Sequence, residues 1–331
     1  MSWLGLDIGG ANLKAALSPG WACSVPFALW RDPAGLADGL AKLISQAPAA
    51  EHIAVTMTGE LCDCFRTKAE GVAHILAAVE RAAAGRRIHV YLVDGRFASI
   101  AEARQQAHLA AASNWHALAR FGSRYVEGRA GLIVDIGSTT TDLVPIVDGQ
   151  PATKALTDTE RLVAGQLVYT GVARTPLCAV TRTLPWHGEQ CPLAAELFAT
   201  TADAYLLVGD LPEQPDANWT ADGRPFTRKF AHERMARMLC ADTTSFSPDD
   251  ALTAAEWVRQ CQIADLSVAA AKVISTMPEP PAVWVTSGSG EFLASRLDGV
   301  STIVSLGTEL GRDASSAAAA HSVAVLADEM L

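Results

Sequence analysis

The sequence lacks the patterns that would place it outside the class of soluble globular proteins. It has no run of about 18 uncharged apolar residues, so we expect no membrane span. It has no basic run, and 36 acidic against 26 basic side chains give a net charge of −10, which argues against a nucleic-acid partner. Apolar residues make up 50% of the chain and charged residues 19%, so intrinsic disorder is excluded as well.

The seven cysteines also lack an informative pattern. They are odd in number, show no Cys-x-x-Cys spacing, and the N-terminus enters a strand pattern without a basic and apolar leader. We therefore expect a cytoplasmic location. Cys62 and Cys64 stand one residue apart, which is poor geometry for a tetrahedral metal site.

Two common catalytic signatures are missing. The histidines show no His-x-His or His-Glu-x-x-His spacing, which removes the familiar metallohydrolase pattern. There is no Gly-x-Ser-x-Gly elbow of the kind that serine hydrolases use. Neither class of hydrolase is therefore expected.

What the sequence does contain is an internal repeat. Residues 6–13, LDIGGANL, recur in altered form as residues 134–141, VDIGSTTT, about 128 residues later. In each copy an apolar run ends in Asp-Ile-Gly, passes small or hydroxyl residues and resumes as a second apolar run, which is typical of two strands joined by a tight turn. We therefore predict two halves of shared architecture.

The first half continues with alternating helical and strand patterns. We predict helices at about 36–45, 68–84 and 100–119 and strands at 52–57 and 88–93. Three antiparallel strands followed by two crossovers predict a mixed sheet with helices on both faces. Gly residues and charges at 121–129 mark the predicted boundary between a first domain, 1–125, and a second, 126–331.

The second half is longer than the first. Its elements are predicted as a third strand at 151–156, a helix from 159, an irregular stretch at 171–188, a strand at 204–208, helices at 231–238 and 251–276, strands at 282–285 and 302–304, a short helix at 291–295 and a C-terminal helix at 314–329. We expect an inserted cap at about 185–248. Packing of the C-terminal helix back on the first domain is one alternative.

The two hairpins predict an anion site. Consecutive turn amides form a nest that binds phosphate oxygens, and the candidate turn residues are Gly9, Gly10, Asn12, Gly137, Ser138, Thr139 and Thr140. Asp7 and Asp135 end the first strand of each hairpin, where a carboxylate can hold Mg²⁺ directly or through water. One such hairpin would be an ordinary turn, but two at a domain-sized interval favour phosphate binding.

A third turn of small residues follows the strand at 282–285. Its sequence, Thr286-Ser-Gly-Ser-Gly290, opens a short helix and suits a nucleotide or another anion. Gly288 and Gly290 are the candidate binding residues. A strand-to-helix junction needs small residues in any case, so ATP binding stays open.

With two hairpins and this turn in that order, the chain resembles the actin, Hsp70 and sugar-kinase superfamily over nearly its whole length. The resemblance implies an α/β fold of two RNase H-like domains with mixed sheets around a central cleft. Such a cleft would grip the phosphates of a ligand.

Four further stretches resemble the hydantoinase/oxoprolinase-related proteins of tetrahydromethanopterin-linked C1 transfer: 56–61 (TMTGEL), 167–176 (LVYTGVARTP), 220–225 (TADGRP) and 311–317 (GRDASSA). The resemblance implies an enzyme of methanofuran or methylofuran biosynthesis. Such an enzyme joins an aminomethyl-furanmethanol diphosphate to the phenol oxygen of a tyramine or tyrosine-type acceptor and releases diphosphate. The leaving diphosphate, rather than ATP, would occupy the cleft.

On that interpretation Asp7 and Asp135 position Mg²⁺, while Lys14 and the turn residues bind diphosphate. A base must take the phenol proton, and Glu60 and Asp94 are two candidates because each follows a predicted strand. Each also has a structural alternative, Glu60 as a charge at a helix N-terminus and Asp94 as an Asp-Gly turn residue.

The acceptor site is predicted in the irregular stretch after the second hairpin. Tyr169 and Arg174 are the candidate acceptor-binding residues, with Arg174 pairing with a substrate carboxylate. Two alternatives keep the fold: an ATP-dependent small-molecule kinase with Asp7 or Asp94 as base, and a nucleotide-sensing or assembly factor without turnover. The identity of the acceptor and the oligomeric state stay open, a homodimer being one alternative.

Overall fold

The computed structural model describes residues 2–18, 20–299 and 302–331 and contains two mixed sheets. The first sheet has the order β3-β2-β1-β4-β5-β6. Its strands are β1 (Trp3–Ile8), β2 (Asn12–Leu17), β3 (Trp21–Pro26), β4 (His52–Met57), β5 (Arg87–Tyr91) and β6 (Phe97–Ala98). β1 pairs antiparallel with β2 and parallel with β4, so a hairpin is followed by a crossover strand, as predicted.

The α-helices described in this half are α1 (Leu36–Gln46), α2 (Lys68–Ala82), α3 (Ile100–Gln105), α4 (Ala107–Ala110) and α5 (Asn114–Gly122). The single helix predicted at 100–119 is wrong, because the chain breaks at Gln106 and again at Ala112, whose φ of 48° is left-handed. The second break lets the buried Ser113 hydroxyl bond to Thr56 Oγ1, at 2.8 Å, and to the carbonyl of Tyr91, at 3.0 Å. These bonds tie the chain to β4 and β5.

The second sheet repeats the arrangement of the first. Its strands are β7 (Gly131–Ile136), β8 (Thr141–Val147), β9 (Gln150–Pro151), β10 (Leu167–Val168), β13 (Val283–Ser287) and β14 (Ile303–Ser305). β7 pairs antiparallel with β8 and parallel with β13. The third strand predicted at 151–156 is wrong, since β9 ends at Pro151 and the other end of the same edge of β8 is paired by β10.

The chain between β9 and β13 adds helices and a small separate sheet. The elements are α6 (Asp158–Ala164), α7 (Leu177–Val180), β11 (Thr183–Trp186), β12 (Glu189–Pro192), α8 (Thr201–Val208), α9 (Arg228–Met238) and α10 (Pro248–Ile274). The strand predicted at 204–208 is wrong because it lies in α8, which begins with a capping box between Thr200 and Asp203 and ends at Gly209, with φ 87°. A short apolar run that is almost wholly buried shows no helical period.

The C-terminal part returns to the first sheet. Beyond a 3-10 helix at Glu291–Arg296 follow α11 (Leu306–Glu309), α12 (Arg312–Ser316) and α13 (Ala318–Met330), so the predicted helix at 314–329 is divided at Ala317. α13 crosses β1 so closely that a Cβ on Gly5 would lie 1.9 Å from the carbonyl oxygen of Ala320. Across residues 2–18, 20–299 and 302–331, no helix combines the length and apolar character needed to cross a membrane.

Candidate active site

The turns of the two hairpins have the same geometry. The Gly9 N–H donates to the Asn12 carbonyl at 3.0 Å, and the Gly137 N–H donates to the Thr140 carbonyl at 2.9 Å. The repeat in sequence is therefore a repeat in structure. The two turns open toward one cavity between the sheets, whose volume is about 330 Å³.

Six of the predicted site residues line this cavity: Gly10, Glu60, Thr139, Thr140, Tyr169 and Arg174. Seven others belong to the two hairpins that flank it: Asp7, Gly9, Asn12, Lys14, Asp135, Gly137 and Ser138. The structure thus brings together residues from 7 to 174, which come from both halves of the chain.

Asp7 and Lys14 face each other across the first hairpin. They are directly paired in the antiparallel register of β1 and β2. Asp7 is buried, and burial raises the pKa of its carboxyl, although the charge of Lys14 offsets part of this. Its Oδ1 atom has no hydrogen-bond partner within the described part of the chain. A buried carboxylate oxygen without a partner fits a site that a cation-bound ligand completes.

Asp135 holds the corresponding place in the second hairpin. The Ser287 hydroxyl donates to its Oδ1 atom at 2.6 Å. Burial raises the pKa of Asp135 to about 6, and the charges of Asp142 and Asp7 act in the same direction. Asp142, directly across the hairpin, has the larger of the two charge effects on Asp135, and Asp7 the smaller.

Few other metal-binding side chains lie near this pair. Over residues 2–18, 20–299 and 302–331, no group of three or more His, Cys, Asp or Glu could hold a metal ion. Mg²⁺ is usually bound through one or two carboxylates together with substrate phosphates. Asp7 and Asp135 fit that mode, in which the ligand supplies the remaining oxygens.

Glu60 lies at the cavity wall, in a 3-10 turn after β4. Its side chain is buried, and burial raises the pKa of the carboxyl to about 7, while a backbone hydrogen bond from Ala112 lowers it. In the described ranges its Oε2 atom has no partner. The helix α2 packs closely against the backbone of Glu60 at Gly71, where a Cβ would lie 2.3 Å from the Glu60 carbonyl oxygen. A buried carboxyl with a pKa near neutrality can accept a proton at physiological pH.

Asp94 lies outside the cavity, in a turn. Its carboxylate accepts a hydrogen bond from Arg96 Nε at 2.7 Å, and the next residue, Gly95, has φ 87° and donates to the Leu92 carbonyl. Of the two candidate bases, Asp94 is the one that serves as an Asp-Gly turn residue, its structural alternative. Only Glu60 is placed to meet a substrate in this cavity.

Arg174 is carried to the cavity by the second hairpin turn. The N–H groups of Ala173 and Arg174 both donate to the Ser138 carbonyl, at 3.0 and 2.9 Å. The Arg174 guanidinium lies over the Trp30 ring, and both side chains line the cavity with Tyr169, which is 63% exposed. An exposed cation that lies over an aromatic ring can bind a phenol that carries a carboxylate.

Gly288 and Gly290 lie apart from this cavity. Gly288 lines a second cavity of about 520 Å³. A Cβ on Gly288 would lie 2.3 Å from the Ile136 carbonyl oxygen, and one on Gly290 would lie 2.5 Å from a methyl carbon of Val172. Both glycines therefore have a packing role, because they allow the turn after β13 to lie close to Ile136 of the second hairpin.

Sequence reasoning missed two residues of the first cavity, Asp142 and Arg161. Asp142 lies directly opposite Asp135 in β8, and its carboxylate accepts a hydrogen bond from Arg161 at 2.7 Å. Arg161 is 1% exposed, and its guanidinium lies 4.1 Å from the Trp115 ring centroid. The available signal was the repeat itself, in which Asp142 stands where the first copy has Lys14.

Comparisons with known proteins agree with this architecture. A protein of Methanocaldococcus jannaschii named (4-{4-[2-(gamma-L-glutamylamino)ethyl]phenoxymethyl}furan-2-yl)methanamine synthase is 32% identical over 331 residues, covering 99% of this chain and 98% of the relative. A protein of the same name from Methanococcus vannielii is 31% identical over 200 residues, covering 59% of this chain and 89% of that one.

The fold is also found among solved structures. Nucleotide-free acetone carboxylase superposes with a TM-score of 0.59 at 12% identity, over 97% of this chain and 70% of that one. The predicted α/β fold with two mixed sheets is confirmed. The Hydantoinase/oxoprolinase family model matches residues 51–325. The chain is therefore a member of the hydantoinase/oxoprolinase family.

Proposed function

We propose that this protein forms an aryl ether between the methylene carbon of an aminomethyl-furanmethanol diphosphate and a phenol oxygen, with release of diphosphate, in methanofuran or methylofuran biosynthesis. The observation that carries the proposal is full-length similarity to a synthase whose name describes a phenoxymethyl group on a furan. That group is an aryl ether. The proposed reaction is the one that makes such a bond.

The two hairpins suit the leaving group. Turn residues of both hairpins line the cavity, Gly10 and Ala11 from the first and Thr139 and Thr140 from the second, and their backbone N–H groups are the proposed diphosphate donors. Lys14 adds a positive charge directly across from Asp7. Asp7 and Asp135 are the residues that would hold Mg²⁺, which when bound would neutralise charge on the departing diphosphate. A site of this kind can bind a diphosphate leaving group without transferring a phosphoryl group.

The bond changes of the proposed reaction balance without a further reactant. The bond between the furan methylene carbon and the diphosphate oxygen breaks, and its electron pair leaves with the diphosphate. The phenol oxygen forms the new bond to that carbon, and its proton passes to Glu60 Oε2. Glu60 suits this task because it lines the cavity, lacks a partner for Oε2 among the described residues and has a pKa of about 7.

The acceptor is proposed to be a tyramine or tyrosine-type phenol that carries a carboxylate. Arg174 supplies a cation at the cavity wall, and Trp30 and Tyr169 supply aromatic surface for the phenol ring. We further propose a cytoplasmic enzyme that acts on small molecules rather than on nucleic acid. Its net charge of −10 supports that choice of partner.

The proposal is tested by incubating the purified protein with Mg²⁺, aminomethyl-furanmethanol diphosphate and a tyramine, tyrosine or γ-glutamyl-tyramine acceptor, without ATP. We expect acceptor-dependent diphosphate release and a product with the mass of the ether. Asp7→Asn should abolish the reaction, while Asp148→Asn, at an exposed turn of β8 and β9, should not. Turnover of ATP with a hydroxyl acceptor, and no ether, would instead establish the kinase alternative.

A further inference from the structure

The two hairpins differ at one position that matters for charge. In the first, Lys14 lies directly across from Asp7, and in the second, Asp142 lies directly across from Asp135. The second hairpin therefore lacks a cation of its own. It also places two carboxyl groups in a direct cross-strand pair, an arrangement that by itself destabilises a sheet.

Arg161 compensates for this difference. It comes from α6, and its Nη2 atom donates to Asp142 Oδ1 at 2.7 Å and to the Gln166 carbonyl at 3.0 Å. The face of Trp115 packs against the guanidinium, and both the arginine and its aspartate are buried. A buried guanidinium needs such a partner to remain charged at low cost. The second hairpin thus acquires a cation held by Asp142.

Most donors of this guanidinium are unused. An arginine has five N–H donors, yet Nη2 alone of its side-chain nitrogens makes a hydrogen bond within residues 2–18, 20–299 and 302–331. The Nε atom is buried and has no partner among the residues that the structure describes. Arg161 lines the cavity beside Thr139 and Thr140 of the second turn. An anion in the cavity would satisfy donors that are costly to bury unpaired.

We propose that Arg161 is the second cation of the diphosphate site, opposite Lys14, and that Asp142 is the positioning residue that aims it. This inference rests on the proposed function for the identity of the ligand as a diphosphate. A carboxylate of the acceptor is the competing anion. Diphosphate is favoured because the anchor, Asp142, lies two residues after Thr140 of the turn and directly across the hairpin from Asp135, whereas Arg174 already offers an exposed cation elsewhere on the wall.

The test is calorimetric binding of inorganic pyrophosphate with Mg²⁺, compared with binding of glutamate, for the whole protein and its variants. Arg161→Gln and Arg161→Lys should weaken pyrophosphate binding by about 10- to 100-fold, because charge-assisted hydrogen bonds are lost. Arg234→Lys is the matched control, since Arg234 is equally buried and pairs with Asp203 at 2.6 Å, away from this cavity. It should lower the Tm without changing pyrophosphate affinity.

A second variant covers the case in which Arg161 substitutions prevent folding. Asp142→Asn keeps the guanidinium but removes the charge that anchors it, so pyrophosphate should bind more weakly while the KM of the phenolic acceptor stays unchanged. Unaltered pyrophosphate affinity in a folded Arg161 or Asp142 variant would overturn the proposal, as would a loss confined to glutamate. Loss of pyrophosphate binding in a protein that forms no ether would leave the assignment of Arg161 intact and remove only the proposed reaction.

Discussion

The guanidinium carbon of Arg174 lies 4.6 Å from the centroid of the Trp30 ring. This contact joins two segments, each of which is hydrogen-bonded to a different hairpin turn. Before Trp30, the Leu29 N–H donates to the Gly10 carbonyl of the first turn at 2.9 Å. Arg174 donates its own N–H to the Ser138 carbonyl of the second turn. The position of Arg174, the proposed acceptor-binding cation, is thus coupled to both hairpin turns.

Replacing Trp30 should act mainly on the acceptor, because its side chain contacts Arg174 whereas the bond to the first turn comes from the backbone of Leu29. In Trp30→Ala the Arg174 side chain loses its platform, and we expect the KM of the phenolic acceptor to rise about tenfold, with little change in the KM of the furan diphosphate. Steady-state kinetics with each substrate varied in turn measures this. Trp219→Ala, which removes a partly exposed tryptophan from outside the cavity, is the control. An equal rise in both KM values would contradict the assignment.

Glu60 should impose a pH dependence on the reaction. A base must be deprotonated to accept the phenol proton, so kcat/KM should rise with pH up to about 7, the pKa of Glu60, and level off above it. Glu60→Gln should lower kcat by about 10²- to 10⁴-fold and remove this limb of the profile. Glu80→Gln, at an exposed site paired with Arg104, should keep it. A limb retained in Glu60→Gln would assign the base elsewhere.

The same carboxyl should make folding pH-dependent. Its pKa is raised from 4.5 to about 7, so in that window the folded state keeps a proton that the unfolded state releases. The free energy of unfolding therefore falls as the pH rises. Because Gln does not titrate, Glu60→Gln should lack this decrease in the free energy of unfolding, which amounts to at most about 3 kcal/mol. Denaturant unfolding should show the variant more stable than the wild type at pH 8 and similar to it near pH 4, and parallel curves would contradict this.

Gly71→Ala tests whether α2 positions Glu60. Glycine to alanine inside a helix normally stabilises by up to about 1 kcal/mol. Here the new Cβ would lie 2.3 Å from the Glu60 carbonyl oxygen, so we expect lower stability and at least a roughly tenfold loss of kcat. Gly39→Ala in α1 is the matched control, because its Cβ would meet side-chain atoms only, the nearest at 3.0 Å. Equal activity in the two variants would show that Glu60 is positioned by other contacts.

The parts of the fold that were predicted correctly depend on local patterns. Each Asp-Ile-Gly hairpin is specified by its own strand and turn residues, and its repetition reveals the second sheet. α8 was missed because its residues are nearly all buried, although Thr200, Asp203 and Gly209 are the capping signals of a helix. The helix break at Ala112 was missed because no local sequence pattern predicts an alanine in the left-handed backbone conformation.

The candidate site was predicted only where its residues follow strand ends or turns. Glu60 and the hairpin residues are of this kind, and they meet at the cavity. Arg161 lies inside a helix, where the sequence pattern marks it as an ordinary surface charge. Its contacts with Asp142 and Trp115 bring together distant parts of the chain. Such contacts depend on tertiary packing, which the sequence pattern alone does not reveal.

The close crossing of α13 over β1 has a consequence for synthesis on the ribosome. β1 is translated before α13, yet Trp3 and Ala54 of the first sheet are covered by Val323 and Ala324 of α13. Domains made first usually fold first. Here the first sheet cannot bury this face until α13 has left the exit tunnel, so the nascent chain must carry exposed apolar surface while the residues between β1 and α13 are synthesised.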